Sequence, residues 1–409
     1  MHINRVRTGR RGLSRVFTPT FLTAWVSSFL FFTSISAFYL LPLYIKSLNG
    51  SEVEIGFIMG AFNAIAMFCQ PVVGEWVDRI GRRPFMLLGV CLSAIASFSF
   101  AFTDSFIMFF FLRLLQGVAL SAFFVSHFTF IAELVPADRR GQAMGFFGIS
   151  GLLSMSLAPL FGEQIIRGFG YQVFFLSTTA VALTALLVTL RIPVPSAVPE
   201  REHPAPLTLL DRLIELPHLP MAIAFAFGLG NATVFIFLPT YARSVGIQNL
   251  GWFYAAYGGT ALLVRMIGGG LADRFGRRQV IVPAMLMQTI GAGFLATLAL
   301  LVDSPWFPLL SLFALAGVLT GGAHGFLYPA LSALVVDQTP QDRRGRVVGM
   351  FSASVLIGNT VGSVLFGYLA HGLGYGLMFT LLAMALLVGF ALSLRLHPTP
   401  RSHESSPLF

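Results

Sequence analysis

Charge is what this 409-residue chain has least of. Asp, Glu, Lys and Arg make up 11% of it, where a soluble domain carries about 25%. Hydrophobic residues make up 56%, and mean hydropathy is +0.80. No water-soluble fold of this length buries so much apolar surface, so lipid is the solvent for most of it. Cysteine is nearly missing: Cys69 and Cys91 both fall in apolar stretches, and neither a disulfide nor a metal framework is implied. Acids are scarcer than bases, 17 against 26. The arginines form short clusters between apolar runs, which fits membrane topology and argues against nucleic acid as a partner. A Walker loop, paired catalytic carboxylates, H-E-x-x-H and G-x-S-x-G are all lacking, so no enzyme, cofactor or metal is expected.

What is present is written twice. Gly74-Glu75-Trp76-Val77-Asp78-Arg79-Ile80-Gly81-Arg82-Arg83 returns 195 residues later as Gly269-Gly270-Leu271-Ala272-Asp273-Arg274-Phe275-Gly276-Arg277-Arg278. Pro136-Ala137-Asp138-Arg139-Arg140-Gly141 returns 204 residues later as Pro340-Gln341-Asp342-Arg343-Arg344-Gly345. Leu41-Pro42-Leu43-Tyr44 is matched by Leu238-Pro239-Thr240-Tyr241. Landmarks in one order at nearly one offset mean an internal duplication. A duplicated apolar chain with charged turns at matched places suits movement of solutes across a membrane.

A spanning helix needs about 20 apolar residues. Turn residues and charge clusters give twelve such segments: 20–45, 54–77, 84–103, 105–133, 142–166 and 170–191, then 218–243, 249–272, 279–302, 305–334, 346–370 and 373–396. The arginine-rich start followed by an apolar run resembles a signal peptide, but the run exceeds a signal core of about 7–15 residues and reads as span 1. The chain therefore divides into an N-terminal segment 1–19, a bundle 20–191, a proline-rich linker 192–217 with a short surface helix near Leu207–Leu216, a bundle 218–396 and a tail 397–409. With the N-terminus inside, 21 Lys and Arg lie on the inner side and three on the outer, so both termini are expected in the cytoplasm.

These residues resemble the major facilitator superfamily of secondary transporters along nearly the whole chain. The G-x-x-x-D-R-x-G-R-R motif after span 2 is its most specific mark and occurs here in both halves. Arg113-Leu114-Leu115-Gln116-Gly117 in span 4 is similar to the family's R-x-x-Q-G element. Ser154-x-x-x-Ala158-Pro159-x-x-Gly162-Glu163 in span 5 partly matches an element of its exporters. The resemblance implies an all-α integral membrane protein, with twelve transmembrane helices in two pseudo-symmetric six-helix bundles. It further implies a bacterial inner-membrane permease similar to sugar-efflux or drug-efflux types, working as a monomer.

A carboxylate among arginines at a membrane face forms charge-assisted hydrogen bonds and favours a nearby helix N-terminus. Pseudo-symmetry predicts Asp78 near the start of span 11 and Asp273 near the start of span 5. The expected inner gate is Gly74, Asp78, Arg79, Gly81, Arg82 and Arg83 with Asp273, Arg274, Gly276, Arg277 and Arg278. Glu133, Arg139 and Arg140, and Asp337, Arg343 and Arg344, complete it. Topology alone needs positive charge but not Gly74, Asp78 and Gly81 at fixed spacing.

A charge at mid-membrane costs about 2.5–3.5 kcal/mol on insertion scales and marks function by default. Arg113, Gln116 and His127 are spaced to share one face of span 4, as are His324 and Tyr328 in span 10. In the family, spans 1, 4, 7 and 10 line the central cavity. Arg265 and Tyr257 in span 8, Asn231 in span 7 and Asn359 in span 11 complete the expected substrate or proton pathway. For the asparagines, His127 and His324, helix–helix hydrogen bonding is the competing role; for Arg113 it is capping of a neighbouring helix's carbonyls, and for Arg265 it is snorkelling to the inner surface. Abundant Phe, 42 in all, leans towards an amphiphilic substrate. No carboxylate stands mid-cavity, so proton coupling needs a histidine or a peripheral acid. The leading expectation is alternating-access export of a small, amphiphilic molecule by proton antiport. Import or symport of a small polar or anionic solute is the alternative, and a non-transporting membrane sensor is the reading from another class.

Overall fold

The computed structural model describes residues 17–136, 139–193, 217–268, 271–302, 308–339 and 344–397. Among them every regular element is helical. Helix α1 (Pro19–Ser47) is interrupted by a 3-10 turn at Ala37–Leu40, where Pro42 withholds a backbone N–H and crowds the preceding turn. Then come α2 (Glu52–Ile80), α3 (Arg82–Phe100) and α4 (Phe106–Leu134). Arg140–Leu190 runs as one helix broken at Gly170, whose φ of 83° only glycine adopts freely, giving α5 (140–169) and α6 (171–190). The second half repeats this with α7 (His218–Ser244), α8 (Gly251–Gly268), a short helix Leu271–Phe275, α9 (Arg277–Leu301) and α10 (Leu309–Asp337). Arg344–Leu394 breaks at Gly374 (φ 79°) into α11 (344–373) and α12 (375–394). Nine described helices are long and apolar enough to span a membrane. Two of these are double, bent at Gly170 and Gly374, and α8 completes the twelve spans expected. The linker helix lies outside the described residues.

Local signals set the helix starts. Ser51 and Glu54 form a reciprocal capping box at α2: Glu54 N–H donates to Ser51 Oγ (3.2 Å) and Ser51 N–H to Glu54 Oε2 (2.7 Å). Thr18 and Ser105 cap α1 and α4. The turns α2–α3 and the one before α9 are single glycines, Gly81 (φ 107°) and Gly276 (φ 96°).

Twelve crossings put the start of α1, the end of α12 and the arginine turns on one face, here the arginine face; the other is the far face. The packing differs between them. Towards the far face one apolar cluster joins both halves, including Phe38 and Phe175 with Phe235, Tyr254 and Phe366. Towards the arginine face it divides: one cluster holds Phe21, Phe31, Phe123 and Phe147 of the first half, another Phe227, Met285, Leu331 and Phe351 of the second. A Cβ added at Gly145 or Gly349 near that face would meet nothing within 4 Å. Among the described residues the apolar core is thus continuous between the halves towards the far face and divided towards the arginine face.

Candidate substrate site and gates

Where the halves meet at mid-membrane, a cavity of about 40 Å³ lies between Ile35 and Tyr39 of α1, Met59, Phe62 and Asn63 of α2, Arg113 of α4, Asn231, Ala232 and Ile236 of α7 and Asn359 of α11. That is room for a few waters. Both halves build it. Arg113 is its one full charge and is 4% exposed. Its Nη1 donates to Gln116 Oε1 (2.7 Å), and its guanidinium lies 4.3 Å from the Phe62 ring centre. Arg113 Nε and Asn359 Oδ1 are buried with no hydrogen-bond partner. Across the seam, Asn359 Nδ2 donates to Asn63 Oδ1 (3.3 Å). Arg113, Asn231 and Asn359, three of the residues expected on the pathway, line this cavity.

Asn231 also reaches a second cluster. Its Oδ1 is 3.2 Å from His324 Nδ1, which is 2.8 Å from the Tyr257 hydroxyl. Nδ1 faces both oxygens, so if protonated it donates to either, and if bare it accepts from Tyr257. Tyr257 also donates to Met155 Sδ on the other half (3.9 Å). Arg265 lies against Gly148 of α5, where an added Cβ would collide with the guanidinium. It reaches across the seam to the first half, and its Nε is buried without a partner. Tyr328 stacks on Phe351 of α11 at 5.4 Å.

Two expected pathway members sit elsewhere. His127 is wholly buried in the first half, between Phe123 and Phe147, and its Nε2 contacts the Ala24 carbonyl of α1 (2.9 Å). It fastens α4 to α1 and is no cavity wall: sharing a helix face with Arg113 over four turns does not keep a residue in the same surroundings. Gln116 is wholly buried behind Arg113 and positions it. Ser154 of the exporter-like element donates to the Phe29 carbonyl of α1 (2.9 Å), again inside the first half.

Among the described residues, several gate residues pair within their own half. Arg82 Nη2 is 2.7 Å from Glu133 Oε1 and 3.9 Å from Asp78 Oδ1. Arg277 Nε is 3.0 Å from Asp337 Oδ2. Arg83 donates to the Leu190 carbonyl ending α6 (3.2 Å) and Arg278 to the Leu394 carbonyl ending α12 (3.0 Å). Arginines there satisfy orphan carbonyls and suit the negative helix ends. Gly74 faces Val125 of α4. Arg79, Arg140 and Arg274 are exposed, and the backbone N–H of Arg139 bonds the Pro136 carbonyl at the start of α5. Among the described residues Asp78 pairs with Arg82 of its own half, and the side chains at the start of span 11, beside which it was expected, lie outside the described residues. Arg343 and the side chains of Asp273 and Arg344 lie outside the described residues.

The far-face seal was not foreseen. Glu163 of α5, its side chain 1% exposed, pairs with Arg167 (2.7 Å) and, on the other half, with Arg243 (3.3 Å) and the Leu250 N–H (2.9 Å). Glu52 pairs with Lys46 and reaches Tyr375 Oη (3.1 Å) and His371 Nδ1 (3.4 Å) of the other half. Gly56 lets α2 approach α11, since a Cβ there would lie 2.5 Å from the Ser363 carbonyl oxygen. Ser156 of α5 donates to the Tyr254 carbonyl of α8 (2.6 Å). The signal in the sequence was Glu163 itself, an acid inside an apolar run.

The sequence model of the Major Facilitator Superfamily matches residues 21–314 and 221–408. The chain is 26% identical over 382 residues to the multi-drug resistance efflux pump PmrA of Streptococcus pneumoniae, covering 90% of this chain and 93% of the pump. It is 22% identical over 412 residues to the staphylopine export protein of Staphylococcus aureus, covering 94% and 98%. Among solved structures, the nucleoside transporter NupG superposes with a TM-score of 0.72 at 16% identity, over 93% of this chain and all of that one. The human organic anion transporter MFSD10 does so with a TM-score of 0.67 at 17% identity, over 92% of this chain and 100% of the other.

Proposed function

Since the chain belongs to the Major Facilitator Superfamily and is a membrane transporter of small molecules, we propose that it is an alternating-access exporter driven by proton antiport. The observation that carries this reading is the mid-membrane cavity, built by both halves beneath a sealed far face and above a parted arginine face. A site between two halves that close in turn is what alternating access requires. The excess of arginine at the parted face supports its placement in the cytoplasm of a bacterial cell, with the far face outside. Export is favoured by the names of the relatives, an efflux pump and an export protein. The apolar wall of Ile35, Met59, Phe62 and Ile236 suits an amphiphilic cargo.

The working cycle then has two locks. Glu163 and Glu52 hold the far face shut in the present state. Asp78 and Asp273, with the arginines after them, hold the cytoplasmic face shut in the other. The proton is carried by His324, whose Nδ1 faces Tyr257 and Asn231 where the cavity wall meets the second half. His127, held among phenylalanines, takes no part.

The test is transport by the purified protein in vesicles with an imposed pH gradient, scored on a panel of fluorescent amphiphiles. Accumulation that rises with the gradient and collapses with a protonophore is the expected result. Gradient-independent equilibration across the whole panel would remove proton coupling.

A further inference from the structure

The middle of the molecule holds a buried arginine, Arg113, and a half-buried one, Arg265, and among the described residues no acid. Arg113 lines the cavity and Arg265 crosses the seam one helix pair away, each with an unpartnered Nε. Among the described residues no carboxylate pairs with either. The acids there stand at helix ends and turns: Glu52, Glu54, Glu75 and Asp78 on α2, Asp104 before α4, Glu133 and Asp337 ending α4 and α10, and Glu163 near the far end of α5. A desolvated guanidinium without a counter-charge is costly, and neighbouring amides relieve only part of that cost.

We propose that the cargo is an organic anion whose carboxylate, or similar planar acid, is taken up by the Arg113 fork. The proposal deepens the transporter reading above and rests on it. Arg113 offers donors in a fixed fork matched to such a group, and Gln116 holds one arm of that fork in place. The side-chain amides of Asn63, Asn231 and Asn359 supply further donors on both halves, so bound cargo ties the halves together. Phe62, already against the guanidinium, and Ile236 receive the apolar part. A cationic cargo would have to approach Arg113 with no carboxylate in the cavity lining to offset the repulsion. In a cell with a negative interior the membrane potential itself drives an anion outward, about 2.3 kcal/mol per charge per 100 mV.

The probe is a pair of near-isosteres, benzoate and benzamide, titrated against the thermal stability of the purified full-length protein in detergent. Benzoate should raise the unfolding temperature of the wild type in a saturable way, benzamide should not, and Arg113→Gln should weaken the benzoate effect at least tenfold. Equal shifts by both compounds, or a benzoate shift retained in Arg113→Gln, would overturn the assignment; the wild-type comparison needs no variant to fold. Vesicles separate this inference from the one beneath it. Transport of neutral or cationic dyes that benzoate does not inhibit overturns the anion site and leaves the transporter standing. Benzoate binding that depends on Arg113, without benzoate crossing the membrane, keeps the anion site and removes the transport reading from this cavity.

Discussion

At the arginine face the two halves repeat each other contact for contact. Arg82 and Arg277 each reach the acid ending the fourth helix of their half, and Arg83 and Arg278 each cap the last carbonyl of its sixth. Gly81 and Gly276, and Gly170 and Gly374, bend the chain at matched places with matched φ. At mid-membrane the likeness ends. The first half places a cation in the cavity, Arg113 on α4, whereas the second places His324 on α10 beside the cavity wall and its cation, Arg265, on α8. Duplication has been kept where the scaffold needs it and lost where cargo would be recognised. A scaffold contact works equally well in either half, but a single cargo meets the two halves with different atoms.

The asymmetry is broken most severely at its centre. Arg113→Ala should lower transport about a hundredfold, equivalent to about 2.8 kcal/mol, with normal expression because a desolvated charge is removed. Arg113→Lys should keep partial activity, since an ammonium cannot reproduce the fork. Initial rates in vesicles check both. At the far face, Glu163→Gln should loosen the seal by about 1–2 kcal/mol, since its charged partners are partly exposed. Spin-label distances between the far ends of α5 and α7, with Cys69 and Cys91 replaced, should show a second, longer population. No new population would remove Glu163 from the lock.

Asp78→Asn tests the opposite lock. It should shift spin-label distances across the arginine face towards the parted state and slow turnover while the protein still folds. The histidines sharpen the contrast between halves: His324→Gln should alter the dependence of transport rate on pH, since its imidazole can take up and release a proton. His127→Gln should leave that profile unchanged and cost about 1 kcal/mol of stability for its lost α1 contact. Smallest of all is the difference between the repeated clamps. Arg82 is 6% exposed and Arg277 18%, so Arg82→Ala should cost about 1–2 kcal/mol and Arg277→Ala about half of that, read from thermal unfolding in detergent. Equal losses would mean that burial does not set the worth of these pairs.

The sequence was most legible where its signals were covalent or periodic. The repeats at Asp78 and Asp273, span lengths and single turn glycines specify the twelve-helix plan with little reference to tertiary contacts. Arg113, Asn231 and Asn359 were found because a polar group in an apolar run must meet something polar. Tyr39, Met59 and Phe62 were not, because a helix that is apolar all round carries no mark of the face that turns to the cavity. His127 was misplaced for a related reason: helical spacing tells which residues share a face but not what that face meets four turns away. Glu163 was seen but set aside as peripheral, since its worth depends on Arg243 and Leu250, 80 and 87 residues distant.

The one-residue corners at Gly170 and Gly374 carry a mechanical consequence. A long loop would let two neighbouring helices slide independently, but α5 and α6, or α11 and α12, turn about a single residue and tilt together as a bent lever. One arm of each lever lies along the seam between the halves. The other bears large apolar side chains on its outer surface, among them Leu183 and Leu187 on α6 and Met384 and Val388 on α12. Anything that reorients the outer arms, such as a thicker or thinner bilayer, is thereby delivered to the seam, and transport should respond to acyl-chain length in vesicles of otherwise identical composition.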